Sequence, residues 1–472
     1  MNSKNKVQSS DKIAFIHPDL GIGGAERLVV DAAVGLKQRG YKITIYTSHC
    51  DKSHAFEEVS NGDLYVKVYG DFLPTNFLKK FQILFAIIRQ FFLVMKLILT
   101  KEVKDYDYFI VDQLSFCIPF LCIFGRPDSR ILFYCHFPDQ LLTVKSSLLK
   151  RVYRLPFDKI EEWTTGISDK IIVNSNFTKG VFKRTFRSLA GSNVSVIYPC
   201  VDVSNAEDSE EDMKAHIQVE KQLGDRDFFF SVNRYERKKN IALAIESYYK
   251  FRELFLTERK RKAPRLVVAG GYDDRVSENH EYLVELTSMC KSLNLKYSIS
   301  MGGIDDVDPD IDVLFMTSIK SSLKKSLNKK AEILLYTPSF EHFGVVPVES
   351  MLFKTPVLTV NNGGPLESVI SLEKDNEDIA TGYSKVADAD VWAEVIYYHY
   401  VKLDTEIKNK LKENGCKRAY EIFLREQMSY ALENNLGSVK RTEKRTTTKA
   451  VTFWWINLSL ICLSYIIYKT LF

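Results

Sequence analysis

Short, nearly continuous apolar runs alternate with longer stretches of helical periodicity along almost all of this 472-residue chain. Such alternation is the signature of βαβ units, because parallel strands covered on both faces carry no polar side. In the first half the pattern predicts strands near Lys12–Pro18, Lys42–Thr47, Leu64–Tyr69, Asp107–Val111, Arg130–Cys135, Lys170–Asn174 and Val194–Tyr198. In the second half it predicts them near Phe228–Asn233, Arg265–Ala269, Tyr297–Met301, Val313–Thr317, Ile333–Tyr336 and Pro356–Val360. Between the halves, Pro199-Cys200-Val201-Asp202 leads into an acidic, polar stretch, Asn205 to Asp212, read as an interdomain linker. The expected fold class is α/β, with two doubly wound Rossmann-like domains. The carboxyl ends of both sheets are then expected to face one ligand cleft.

Three segments stand apart from that rhythm. Phe77 to Thr100 is helical and very apolar, yet carries Lys79, Lys80, Arg89 and Lys96. Those charges make a spanning helix costly but suit one lying in a lipid headgroup layer. Leu114 to Phe124 is also apolar, too short to span, and is expected in the core. Residues 451–468 form an uncharged apolar run with Trp454 and Trp455 at one edge, long enough for a membrane tail. Lys440, Arg441, Lys444, Arg445 and Lys449 precede it and only Lys469 follows, which places the body of the protein in the cytosol. The expected domains are 1–204 (N-terminal, with a membrane-associating helix at 77–100), 205–395 (nucleotide-binding), 396–449 (crossover helices and basic linker) and 450–472 (hydrophobic tail).

Composition changes little in this picture. Apolar residues make up 45%, and a net charge of +5 is too mild to argue for nucleic acid. The eight cysteines include no C-x-x-C pair, which reads as reduced thiols without structural zinc. The sequons at Asn176, Asn193 and Asn457 are taken as chance matches, and polar Met1 to Lys12 is no signal peptide.

Four loops carry chemistry. Gly21-Ile22-Gly23-Gly24-Ala25-Glu26-Arg27 follows the first strand, where glycines and a helix start admit a phosphate. Asn233-Arg234-Tyr235-Glu236-Arg237-Lys238-Lys239-Asn240 follows the first strand of the second half. An arginine fork and a lysine point charge there suit a diphosphate leaving group. Cys135-His136-Phe137-Pro138-Asp139 ends a strand with an imidazole facing the ligand side. His49 and His54 are weaker acceptor-side candidates.

The fourth loop is Ser339-Phe340-Glu341-His342-Phe343-Gly344-Val345-Val346-Pro347-Val348-Glu349-Ser350, in which two carboxylates stand eight positions apart. A buried strand leads into it, and Glu349-Ser350-Met351-Leu352-Phe353 reads as the opening of a helix. Asn362-Gly363-Gly364-Pro365-Leu366-Glu367 adds a supporting glycine turn. No D-x-D triplet ends a strand in a setting suited to metal–nucleotide binding, so no protein-bound metal and no cofactor are expected.

Together these loops resemble retaining GT-B glycosyltransferases of family 4, whose Glu-x7-Glu motif is matched by Glu341 and Glu349. The resemblance runs over nearly all of residues 12–440. Val68–Pro74, Tyr134–Leu142, Pro156–Gly166, Asn233–Asn240 and Tyr336–Gly344 are similar in particular to the mannosyltransferases of the dolichol pathway. That resemblance implies GDP-mannose as donor and a dolichyl-diphosphate-linked oligosaccharide, at a lipid membrane, as acceptor. It implies α-1,3 and α-1,6 linkages, in an order left open, on the cytosolic face of the endoplasmic reticulum. Other cytosol-facing glycosylation enzymes are a further candidate partner. It gives Glu341 the sugar hydroxyls, Glu349 the ribose, and Arg234 and Lys239 the diphosphate, with Lys238 a rival for Lys239. His136 touches the sugar and the Gly23-Gly24 backbone borders the diphosphate. His342, Phe343 and Gly344 complete the donor set, and the catalytic set is Glu341, His136, Lys239 and Arg234. The rivals are another membrane-associated GT-B transferase and a non-catalytic scaffold for glycosylation enzymes.

Overall fold

The computed structural model describes residues 11–77, 81–143, 147–202, 208–259, 261–304 and 306–439. The apolar run at 451–468, its basic flank and Lys79 and Lys80 lie outside the described residues. The chain divides into two compact units, one of 1–198 with 425–472 and one of 199–424.

The first unit holds strands β1 (Lys12–Asp19), β2 (Lys42–His49), β3 (Val66–Val68), β4 (Tyr108–Asp112), β5 (Arg130–Cys135), β6 (Lys170–Val173) and β7 (Val194–Val196). They form one sheet in the order β3-β2-β1-β4-β5-β6-β7, with every pairing parallel. The apolar runs are buried because helices cover both faces. Helix Arg425–Ser438 belongs here, held on helix Gly24–Gln38 by Arg425 Nη2 at 2.8 Å from Asp31 Oδ1. At Gly35 a Cβ would stand 2.7 Å from Ser429 Cβ, so the glycine lets the two helices approach closely.

The second unit holds β8 (Phe228–Val232), β9 (Arg265–Gly270), β10 (Tyr297–Met301), β11 (Val313–Thr317), β12 (Leu334–Tyr336), β13 (Val357–Val360) and β14 (Gly382–Lys385). Their order is β10-β11-β9-β8-β12-β13-β14, again all parallel. The structure thus has the two doubly wound sheets that the alternation predicts. Strand β14 is not foreseen, since Gly382-Tyr383-Ser384-Lys385 is too short and too polar to announce a sheet edge.

Three local expectations are corrected. The stretch Asn205 to Asp212 is not simply a linker, because its end caps helix Glu210–Leu223. There the Ser209 hydroxyl accepts from the Asp212 N–H while the Asp212 carboxylate accepts from the Ser209 N–H, a reciprocal capping box. Glu349 does not open its helix. The helix is Val345–Leu352, begun at Gly344 with φ 81°, so Glu349 stands on its second turn. Pro347 does not delay the start, because a first-turn residue has no intrahelical use for its N–H.

The third correction concerns the helix within 77–100, observed as Gln82–Leu99. Arg89 does not face a headgroup layer: it is buried with Nη1 at 2.8 Å from Asp19 Oδ1 at the end of β1. Gln90 is buried beside it, donating to Leu114 O at 2.6 Å and accepting from the Cys117 N–H at 3.0 Å. The helix is long and apolar enough to cross a membrane, yet one of its faces is fastened into the first unit. The run at 114–124 is in the core as expected, with Cys117, Ile118, Phe120 and Leu121 buried.

Candidate functional site

In a doubly wound sheet the ligand crevice opens at the carboxyl ends of the two strands whose crossovers leave in opposite directions. In the second unit that point lies between β8 and β12. Both loops leaving it are rich in charge.

The loop after β8 is held from below. Tyr235 is fully buried and its hydroxyl lies 3.2 Å from both Val268 O and Met316 O. A Cβ at Gly270 would stand 1.7 Å from Asn233 O, so only glycine allows the end of β9 to approach this loop. Arg237–Lys239 make a 3-10 turn, and Asn240 at φ 50° swings the chain into helix Ile241–Glu258. With Tyr235 locked inward, Arg234 and Lys238 project outward. Glu236 links them, with Oε1 at 2.9 Å from Arg234 Nη1 and Oε2 at 3.0 Å from Lys238 Nζ.

The loop after β12 is clamped by the glycine turn after β13. Asn362 Oδ1 accepts the Phe340 N–H at 2.6 Å, and the Gly364 N–H donates to Glu341 O at 2.7 Å. A Cβ on Gly364 would meet Phe343 Cα at 2.3 Å, so the two turns nest backbone to backbone. Phe343 turns inward and is buried, its ring 5.6 Å from that of Phe423. Gly344 starts the helix and His342 is half-buried.

The two loops meet in one ion pair. Lys239 Nζ lies 2.7 Å from Glu341 Oε1, and the Tyr336 hydroxyl donates to Oε2 at 3.2 Å. Thr337 Oγ1 donates to Lys239 O at 2.7 Å, fixing the lysine backbone against β12. Burial alone would raise the Glu341 carboxyl, but Lys239, with smaller help from His342 and Tyr336, holds it below the usual range. Burial and the same carboxylate push the Tyr336 phenol far upward, so it stays a donor. Glu349 is 2.9 Å from Lys324 Nζ, a lysine of helix Ser321–Lys330. Of the two rival lysines, Lys239 faces the Glu341 carboxylate, whereas Lys238 is exposed beside Glu236.

In the first unit the equivalent point lies between β1 and β4. Asp112, the last residue of β4, is buried between two imidazoles. Its Oδ2 is 2.7 Å from His17 Nδ1 and its Oδ1 is 2.8 Å from His136 Nε2. Burial opposes ionisation of Asp112, yet His136 and His17 outweigh it and hold the carboxyl down at about 2. Burial likewise tends to lower His17, but Asp112, and more weakly Glu26, raise it above the ordinary imidazole value. Gly23 caps helix Gly24–Gln38 in extended backbone, and nothing stands within 4 Å of where a Cβ on Gly24 would be. His49 is exposed and pairs with Asp71 at 2.5 Å, and His54 lies in the short turn Lys52–His54.

Glu341, Lys239, Arg234, Lys238, His342, Phe343, Gly344 and Glu349 are therefore grouped in the second unit, and His136, Gly23 and Gly24 in the first. Sequence reading misses Glu236, Lys324, Tyr336, Asp112 and His17. Glu236 lies within the basic run and Tyr336 at the strand end, so both were visible as neighbours. Asp112 is 95 positions from His17 along the chain and carries no local signal.

Comparison with known proteins agrees with this fold. Residues 22–205 match the model of Glycosyltransferase Family 4, and residues 212–418 that of Glycosyl transferases group 1. Among solved structures, the Anabaena HepE protein in complex with UDP and glucose has a TM-score of 0.62 at 17% identity, covering 91% of this chain and 100% of that one. The catalytic domain of Arabidopsis thaliana starch synthase IV, bound to ADP and acarbose, reaches 0.66 at 14% identity over 91% and 99%. At such identities the likeness shows the GT-B fold alone. The sequence relatives are far nearer. The α-1,3/1,6-mannosyltransferase ALG2 of Debaryomyces hansenii is 58% identical over 98% of both chains. That of Candida albicans is 53% identical over 92% of this chain and 100% of its own. That of Saccharomyces cerevisiae is 49% identical over 92% and 86%. The chain belongs to the ALG2 family of α-1,3/1,6-mannosyltransferases, within the GT-B glycosyltransferases.

Proposed function

We propose that this chain transfers mannose from GDP-mannose to a monomannosyl-chitobiosyl-diphosphodolichol, forming an α-1,3 and an α-1,6 linkage in lipid-linked oligosaccharide synthesis. The observation that carries the reading is the Lys239–Glu341 pair at the β8/β12 switch point, with Arg234 and Lys238 beside it on Glu236. In this reading Arg234 and Lys239 hold the diphosphate, and Glu349 holds the ribose. The Glu341 carboxylate accepts from mannose hydroxyls. With its Nε2 on Asp112, His136 keeps Nδ1 for a sugar hydroxyl. Gly23 and Gly24 offer close backbone approach to the diphosphate.

The chemistry is a displacement with retention. The bond from the anomeric carbon to the β-phosphate oxygen breaks, and the acceptor oxygen bonds to the same face of that carbon. The acceptor proton passes to the departing diphosphate oxygen. Fixed cations stabilise the charge that builds on the diphosphate without reorganising at the moment of reaction. In this reading Glu341 positions the sugar, its carboxylate placed by Lys239 and Tyr336, and neither it nor Glu349 is assigned as a nucleophile. The same reading sets the protein at the endoplasmic reticulum membrane with its catalytic units in the cytosol.

Full-length protein in detergent, given GDP-mannose and a monomannosyl-chitobiosyl-diphosphate-phytanyl acceptor, should add two hexoses by mass spectrometry. Both new bonds should yield to α-specific mannosidases. Addition of one hexose would reduce the reading to a single linkage. No addition with donor binding retained would point to another acceptor.

A further inference from the structure

Helix Leu148–Ile167 of the first unit is amphipathic in the reverse of the usual sense over its first turns. Its inward face carries Arg154, buried with Nη2 at 2.6 Å from Asp139 Oδ2 and 3.1 Å from Asp158 Oδ1. Its outward face carries Leu148, Leu149, Val152 and Leu155, which are 77%, 84%, 65% and 64% exposed. Positions 148, 152 and 155 recur at one-turn spacing and 149 lies three before 152, so the four make one stripe. Leu141 and Leu142, on the adjoining helix Asp139–Leu142, are exposed as well. Clustered exposed leucines of this kind mark a surface that is covered in use.

Charge indicates what covers it. Helices Asp139–Leu142 and Leu148–Ile167 contain Asp139, Asp158, Glu161 and Glu162, none of them exposed, whereas the exposed charges are Lys150, Arg151 and Lys159. An apolar stripe whose own two helices expose only cations among the described residues matches a bilayer with anionic headgroups, which offers both an apolar interior and negative charge. A second copy meeting this face about a two-fold axis would oppose the same cations to one another. The chain's own apolar run at 451–468 is preceded by Lys440, Arg441, Lys444, Arg445 and Lys449, which again matches sign to sign. The stripe also continues toward the apolar helix Gln82–Leu99, since the ring of Phe81, just before that helix, lies 5.5 Å from that of Tyr153.

We propose that the Leu148–Leu155 face docks in the headgroup layer of an anionic phospholipid bilayer. It would hold the first unit against the membrane in which a lipid-linked acceptor is dissolved. Its purpose rests on the function proposed above, but its test needs no acceptor. The full-length chain carrying Leu149→Trp is reconstituted in vesicles of phosphatidylcholine and phosphatidylserine with brominated acyl chains. Leu254→Trp, at an exposed leucine of the second unit, is the control.

The emission added at 149 should be lost to bromine while that added at 254 persists. The loss should weaken as salt is raised, and Lys150→Glu/Arg151→Glu should abolish that salt dependence. Emission at 149 that is quenched by aqueous acrylamide and not by bromine overturns the proposal. Protection from both quenchers also overturns it, and would assign the face to protein. Absence of bromine quenching alongside transfer to a lipid-linked acceptor would remove the docking alone. Quenching without transfer would remove the functional reading instead.

Discussion

The two switch points occupy the same place in two sheets of the same design, yet they carry opposite chemistry. At β8/β12 the charges are partly open to solvent, and each carboxylate faces a lysine or arginine that an incoming anion can draw away. At β1/β4 one carboxylate is buried between two imidazoles and its charge is spent inside the protein. Topology supplies the crevice in both, and burial decides what the crevice does. An open cation can bind a diphosphate, whereas a buried carboxylate can only orient its neighbours.

Breaking the open site should have the largest effect on transfer. Lys239→Ala and Glu341→Ala each remove half of the pair that spans the two loops. Either should lower kcat by about a hundredfold or more, as for loss of one preorganised electrostatic group. Stability should fall by less than for a fully buried pair, because Lys239 and Glu341 are 13% and 29% exposed and water can partly reach the survivor. A well-folded Glu341→Ala chain with normal turnover in the mass-spectrometric assay would sink the assignment.

The buried site should respond the other way, in stability first. Asp112→Asn leaves two imidazoles without their shared carboxylate, and loss of one partner from a buried pair costs about 3–5 kcal/mol. His17 is raised in the folded chain, so its contribution is fully present below its ordinary value and is lost as pH rises through the folded value. Asp112 is depressed to about 2, so its contribution is present above the ordinary aspartate value and lost as pH falls toward about 2. Thermal unfolding should therefore show the native chain losing stability as pH rises above the ordinary imidazole value, with the Asp112→Asn chain flatter over the same rise. Equal slopes would mean that Asp112 does not set the charge on His17.

The contrast also explains what could be read in advance. Glu341, Lys239 and Arg234 stand out in the sequence because each sits in a contiguous motif at the end of an apolar run. Asp112 and Lys324 do not, because they become relevant only once distant segments are folded together. Ser209 and Asp212 were open to reading as a capping box, but their acidic surroundings suggested a linker. The start of the helix bearing Glu349 was hidden in Val345-Val346-Pro347-Val348, an apolar run that looks like strand until Gly344 is seen to turn it. Arg89 was misread for a related reason: its charge looked solvent-facing in an apolar helix until Asp19 was brought alongside.

The smallest effect sharpens the comparison from within the open site. The run Arg234 to Lys239 contains four cations, and composition alone would assign them all to phosphate. Arg237 is the one turned away, toward helix Ser277–Ser292, where it meets Glu281 at 3.2 Å and Glu285 at 2.5 Å. Those contacts raise its already high pKa and leave it a surface ion pair, screened by salt. Arg237→Ala should thus leave the KM for GDP-mannose and kcat unchanged, while Arg234→Ala in the same assay raises KM. If Arg237→Ala weakens donor use as much as Arg234→Ala does, the basic run acts through summed charge. Equal loss from both would remove the geometric distinction that separates the outward Arg234 and Lys238 from the helix-bound Arg237.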